Sequence, residues 1–235
     1  MADLEIMNQA LREKVGQLRA RLKKSPEDRT LYQELSDLLF QAGKISAAIN
    51  ILEKTLTPTL GGGEAQVEGK RLFDRALEFA DAYLFEDAVD CFSQAIENGL
   101  DTFEIHYCLS GVHKSLDQIQ EAELHCRRCI TLNPRFAPAY ILLGSLLKRP
   151  ESLEESVAAC KKAVLIDPEC TAAYYDLACY YSLLSRREQA LAAIEMALCK
   201  GFTDFDWLLR DPDLDGLRLN PEFDLLMQSY RQKNS

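Results

Sequence analysis

Small and large apolar side chains recur along this chain at a fixed interval of 34 residues. Ala88, Ala122, Ser156 and Ala190 form one series, and Ala95, Cys129, Ala163 and Ala197 a second. Leu72, His106, Tyr140 and Tyr174 form a third. Leu109, Leu143 and Leu177 hold the same register, each followed by a small residue (Ser110, Gly144, Ala178), while Pro134 and Pro168 close two of the units. The spacing predicts two helices joined by a turn in each interval. Small residues are needed where two helices cross closely, large ones fill the gaps beside them, and proline cannot continue the second helix. Ala and Leu abound and β-branched runs are scarce, so the whole chain reads as all-α.

The order large aromatic, Leu-small, Tyr, Ala, large apolar, Ala, Pro resembles the tetratricopeptide repeat. Thr171 to Phe202 carries it most clearly, with Tyr174, Leu177, Ala178, Tyr181, Ala190, Ile194 and Ala197 on the motif. Copies starting at Ala137 and Phe103 match nearly as well, Ser156 replacing the usual Ala and His106 and His113 standing in aromatic places. A copy near Gly69 has Arg75 where Leu is expected, yet Ala76, Phe79, Ala88, Phe92 and Ala95 keep the register. An earlier copy from about Arg29 carries Tyr32, Leu35, Leu39, Gly43, Ala48 and Leu52. Ala48 lies 40 residues before Ala88, so six residues are extra.

The resemblance implies an all-α, right-handed superhelical α-solenoid of about five helix-turn-helix repeats with N- and C-terminal capping helices. The expected organisation is an N-terminal capping helix (1–28), a first repeat (29–60), a Gly-rich linker (61–68), four repeats (69–102, 103–136, 137–170, 171–202) and a C-terminal capping segment (203–235). In the first helix Leu4, Met7, Leu11, Val15, Leu18 and Leu22 make one apolar stripe, which covers the open end of a stack or dimerises the chain. At the other end, Phe205, Trp207, Leu208, Leu217, Phe223, Leu226 and Met227 are expected to cover the last repeat. That stretch resembles the closing segment common after bacterial arrays of this repeat.

Charge narrows the function classes. A net charge of -10 and a pI near 4.9 oppose nucleic-acid binding, which needs a concentrated basic face. No apolar run suggests a secretion signal or membrane insertion, so a cytoplasmic location with mostly reduced cysteines is expected. Candidate chemistry is thin. Gly61-Gly62-Gly63 lacks the Lys-Ser or Lys-Thr of a P-loop, and Asp204, Asp206, Asp211, Asp213 and Asp215 lack the spacing of a calcium loop. Cys126 and Cys129 form a C-x-x-C, but they fall on core places of the repeat, where cysteine acts as a small hydrophobe. No catalytic residue, metal ligand or cofactor is therefore expected. A redox or metal-responsive role for that pair, and self-assembly through the N-terminal helix as a homo-oligomer, stand as alternatives.

The resemblance also implies that the first helix of each pair lines a concave groove for a partner protein or peptide. The places off the packing face are Phe73 and Leu77, then Tyr107 with Lys114, then Ile141 with Ser145 and Lys148, then Tyr175 with Cys179. A clamp for a terminal carboxylate is not expected, since Gln33, Asp37, Asp74, Glu104 and Cys108 occupy the comparable places. The expected function is an interaction scaffold or assembly factor with no chemistry of its own.

Overall fold

A computed structural model describes residues 64–218 and 220–233, together with Lys14, Gln17, Leu18, Ala20, Arg21, Leu31, Glu34, Leu35 and Leu38 before them. Apart from those isolated positions, the expected N-terminal helix, the first repeat and the Gly61–Gly63 run lie outside the described residues. The chain is an all-α helical-repeat protein, and no strand occurs among the described residues. It divides into two compact units, Met1–Asn133 and Pro134–Ser235.

Unit 1 contains α1 (Glu64–Asp81), α2 (Phe85–Glu97), α3 (Phe103–Ser115) and α4 (Ile119–Leu132). Helix α1 begins inside the stretch expected as linker, because the glycines end at Gly63 and Glu64-Ala65-Gln66 are good helix formers. The unit's core joins Leu72, Phe73, Ala76 and Leu77 of α1 to Ala88, Cys91, Phe92 and Ala95 of α2 and to Ile105, Cys108, Leu109 and Val112 of α3. The Phe73 and Phe92 rings meet at 5.6 Å and 55°, the tilted arrangement that aromatic quadrupoles favour.

Unit 2 contains α5 (Ala137–Leu146), a 3-10 turn (Pro150–Ser152), α6 (Leu153–Ile166), α7 (Thr171–Leu183) and α8 (Arg187–Cys199). A closing segment follows, made of the single turn α9 (Phe205–Leu208), a second 3-10 helix (Pro212–Leu217) and α10 (Pro221–Lys233).

Every small residue of the first two series, from Ala88 and Ala95 to Ala190 and Ala197, is 0% exposed. The periodicity therefore marks helix crossings. Gly144 shows how tight one is: a β-carbon there would lie 2.9 Å from Cys160 Sγ and 3.3 Å from the Ser156 carbonyl. In unit 1 the crossing of α3 and α4 is tied by Ser110 Oγ, which donates to the Ala122 carbonyl at 2.8 Å.

The turns repeat as well. Tyr83, Asp117 and Ser185 take left-handed φ of 62°, 58° and 58°, and they sit one and then two intervals apart. The vacant slot in this series, residue 151, belongs to the Pro150–Ser152 turn, which Ser152 Oγ closes by donating to the Leu147 carbonyl at 2.8 Å. Gly99 and Gly201, with φ of 87° and 96°, end α2 and α8 three intervals apart. At the two places between them stand Asn133 and Asp167, each followed by a proline that stops the helix.

The closing segment is held by apolar burial. Leu208, Leu214, Leu217, Phe223 and Met227 join Leu177, Ala178, Tyr180 and Ile194 in one core, each fully buried Leu or Phe contributing roughly 1.5–3 kcal/mol. Asp204 and Asp211 start its two short helices, accepting from the Trp207 and Asp213 amides at 2.8 and 2.9 Å.

Candidate partner-binding surface

The nine side chains expected on the first helices do not share one environment. Phe73 and Leu77 are 2% and 3% exposed and belong to the core between α1 and α2. Their place in that core, with Phe73 against Phe92, removes them from any outer face, a correction to the expected groove. Tyr107 is partly exposed and Lys114 exposed on α3. Ile141 and Ser145 are partly exposed on α5.

Lys148, Tyr175 and Cys179 have a different fate, because the closing segment is seated on them. The Tyr175 hydroxyl donates to Asp211 Oδ2 and accepts from Trp207 Nε1 at 2.5 Å. Cys179 Sγ reaches the same Asp211 oxygen at 3.6 Å, and the Lys148 ammonium pairs with Asp213. Arg218 donates to the Asp211 carbonyl at 2.7 Å, and the Phe202 ring stacks on Tyr175 at 5.0 Å and 3°. Ser182, one turn beyond Cys179, faces Gly216, whose added β-carbon would lie 3.5 Å from Ser182 Oγ. The repeat face of unit 2 therefore holds a non-repeat segment of its own chain.

The electrostatics follow from that seating. Burial pushes the Tyr175 hydroxyl far up, with the neighbouring Asp211 acting in the same direction, so it stays a neutral donor. The Cys179 thiol is likewise raised by burial and then by Asp211. Burial works against the charge of Lys148, but the bond to Asp213 together with the charges of Asp213 and its neighbours outweighs this and raises its pKa. Cys179, Asp211 and Asp213 can bring their ligand atoms within 4.8 Å of one another. The Lys148 ammonium and the Tyr175 hydroxyl already meet those two carboxylates, and the thiol is held protonated, so this set is built as a hydrogen-bonded clasp and fits a metal poorly.

Cys126 and Cys129 are both 0% exposed. Burial pushes Cys126 up to about 12 and raises Cys129 as well, which suppresses the thiolate that redox or zinc chemistry requires. His106 and His113 point into unit 1 and are hydrogen-bonded, as aromatic-place histidines should be: His106 Nε2 to Asp101 Oδ1 at 2.6 Å, His113 Nδ1 to Gln118 Oε1 at 2.6 Å. Sequence reasoning missed His125, which lies between them. Its ring stacks on both, at 5.1 and 5.4 Å, and its Nδ1 is 2.8 Å from His106 Nδ1. Burial, then the two neighbouring imidazoles, lower its pKa to about 4. The signal was available in retrospect, since His106 and His113 share one helix face and His125 sits on the helix that folds back over it. The roles of Asp211 and Trp207 were also missed, because both act on Tyr175 across more than thirty residues.

Residues 137–170, which span α5, the Pro150 turn and α6, match the tetratricopeptide repeat family. The chain carries a tetratricopeptide repeat. One curated relative is a chloroplastic protein of Arabidopsis thaliana, 40% identical over 55 residues, or 23% of this chain. The match spans only 16% of the length of that relative. Among solved structures, YrrB, described as a tetratricopeptide repeat protein with an unusual peptide-binding site, aligns with a TM-score of 0.53 and 18% identity over 92% of this chain and 97% of its own. PilF of Pseudomonas aeruginosa aligns with a TM-score of 0.60 and 17% identity over 72% of this chain and 76% of its own. At such identities these structures establish the shared fold alone. No helix among the described residues is long and apolar enough to cross a membrane.

Proposed function

We propose that this protein is a cytoplasmic interaction scaffold or assembly factor that receives a peptide or helix of a partner protein on its first helices, with no chemistry of its own. The observation that carries the reading is internal. In unit 2, the first-helix register of Tyr175 and Cys179, with Lys148, holds a non-repeat segment by an aromatic hydroxyl, a stacked ring and a lysine. In unit 1 the same register presents Tyr107 and, on the same helix, Lys114. An aromatic with a polar tip and a nearby cation suit a partner segment that mixes apolar and acidic side chains. The likeness to YrrB, whose description names a peptide-binding site, supports a ligand of this class. Eight free cysteines suit a reducing compartment.

The test is affinity capture with the full chain as bait, each unit's face changed by itself. A Tyr107→Ala, Lys114→Glu variant and an Ile141→Ala, Ser145→Glu variant are compared with wild type at verified helicity. Loss of the same partner from either variant supports the reading. Equal recovery by all three baits moves the binding surface away from the first helices and overturns it.

A further inference from the structure

The three histidines of the chain, His106, His113 and His125, form a single stack in unit 1, and unit 2 has none. The bonding pattern assigns their protons. The Asp101 carboxylate only accepts, so His106 Nε2 carries hydrogen and, in the neutral ring, His106 Nδ1 is an acceptor. His125 Nδ1 therefore donates to it across 2.8 Å. His113 Nδ1 donates to Gln118 Oε1. We propose that this stack is an acid-sensitive latch between α3 and α4, closed when at least one imidazole of the His106–His125 pair is neutral and opened when both are charged.

Counting protons defines the two states. With no added proton the pair has one donor and one acceptor at the Nδ1 atoms. One added proton preserves that match: His125 can take it at Nε2 and still donate from Nδ1, and if His106 takes it at Nδ1, His125 carries its own proton on Nε2 and accepts at Nδ1. A second added proton sets N–H against N–H at 2.8 Å and places like charges in adjacent stacked rings, with a third ring, His113, parallel to His125 at 3°. Bond and stack then repel together.

The surrounding charges are few. His106 and His113 of α3 are the titratable groups set against His125 of α4. Asp101, ahead of α3, pairs with His106 and with Arg128 of α4. Gln118, in the α3–α4 connection, is neutral. Asp101 thus compensates a charge at one end of the stack, whereas His113 at the other end is bonded to the neutral Gln118 amide. The latch does not depend on what binds α3, although Tyr107 and Lys114 ride on the helix it holds.

The experiment is hydrogen exchange by mass spectrometry on the full chain at about pH 7 and about pH 5, rates corrected for intrinsic chemistry. Protected amides of α3 and α4 should exchange on the order of tenfold faster at the lower pH, while those of α7 and α8 keep their protection. His125→Phe, which keeps a ring and removes the titration, should abolish the difference. Should that variant not fold, nitrogen NMR of the wild-type imidazoles decides. The expected tautomers are Nε2–H for His106 and Nδ1–H for His113 and His125, with the His106–His125 bond lost in acid. Equal acceleration in both units, an unchanged acid response in His125→Phe, or three imidazoles titrating independently would each overturn the latch.

Discussion

Helices α3 and α7 occupy equivalent places in their repeats, and Tyr107 and Tyr175 hold the same register two intervals apart. Their neighbourhoods nevertheless differ. Around Tyr175 the chain supplies its own occupant, a clasp of Asp211, Asp213 and Trp207 resting on five buried apolar side chains. Among its described residues unit 1 has a different distinctive feature, a partly buried histidine stack on the helix that carries Tyr107. A repeat motif thus fixes the register of a side chain, and the non-repeat sequence supplies the partners that Tyr175 meets there.

The comparison breaks most visibly at Leu214. Leu214→Ala should cost about 2–5 kcal/mol of unit 2 stability through the cavity it leaves, with unit 1 unaffected, as read by denaturant unfolding with exchange resolved by helix. A loss shared equally by both units would deny the closing segment its separate role. Next comes Tyr175. Tyr175→Phe removes a donor from the buried Asp211 and should destabilise by about 1–3 kcal/mol. Thermal melts of this variant against wild type check it directly.

Acid should separate the units in the opposite direction. The pKa of His125 is depressed to about 4 in the folded chain, so its burial as a neutral ring has no pH-dependent effect above the usual histidine value. As pH falls from about 6.5 towards 4 the unfolded state takes the proton more readily, and unit 1 should lose up to about 1.4 kcal/mol per pH unit. Asp101, held low by Arg128 and then His106, adds loss of the same sign only at still lower pH. Denaturant midpoints across this range, wild type against His125→Phe, measure the contribution. The smallest effect belongs to Lys148→Ala, about 0–1 kcal/mol, because the lysine side chain is 42% exposed and water screens its pair with Asp213. A double-mutant cycle with Asp213→Asn isolates that coupling.

Small residues at 34-residue spacing were legible because close helix crossings tolerate little else, and Ala88, Ala122, Ser156 and Ala190 all proved buried. Cys126 and Cys129 were legible as core for the same reason. Phe73 was not, since it shares a register with Tyr107 and Tyr175 and only the Phe92 ring distinguishes it. The left-handed turn positions were hidden too: Tyr83, Asp117 and Ser185 have no common chemistry, and the geometry of the turn selects the place rather than the residue. Asp211 and Asp213 read locally as helix-starting residues, which Asp211 is. Their second task, meeting Tyr175 and Lys148, depends on tertiary folding that no local pattern encodes.

Trp207 is the only tryptophan of the chain, it is 49% exposed, and its indole nitrogen is bonded to the Tyr175 hydroxyl. Indole emission from the whole protein consequently originates at the seam between the last repeat and its cover. The protein carries a native optical gauge, in which a shift of emission wavelength or of tyrosine-to-indole energy transfer times the lifting of that cover without any attached dye.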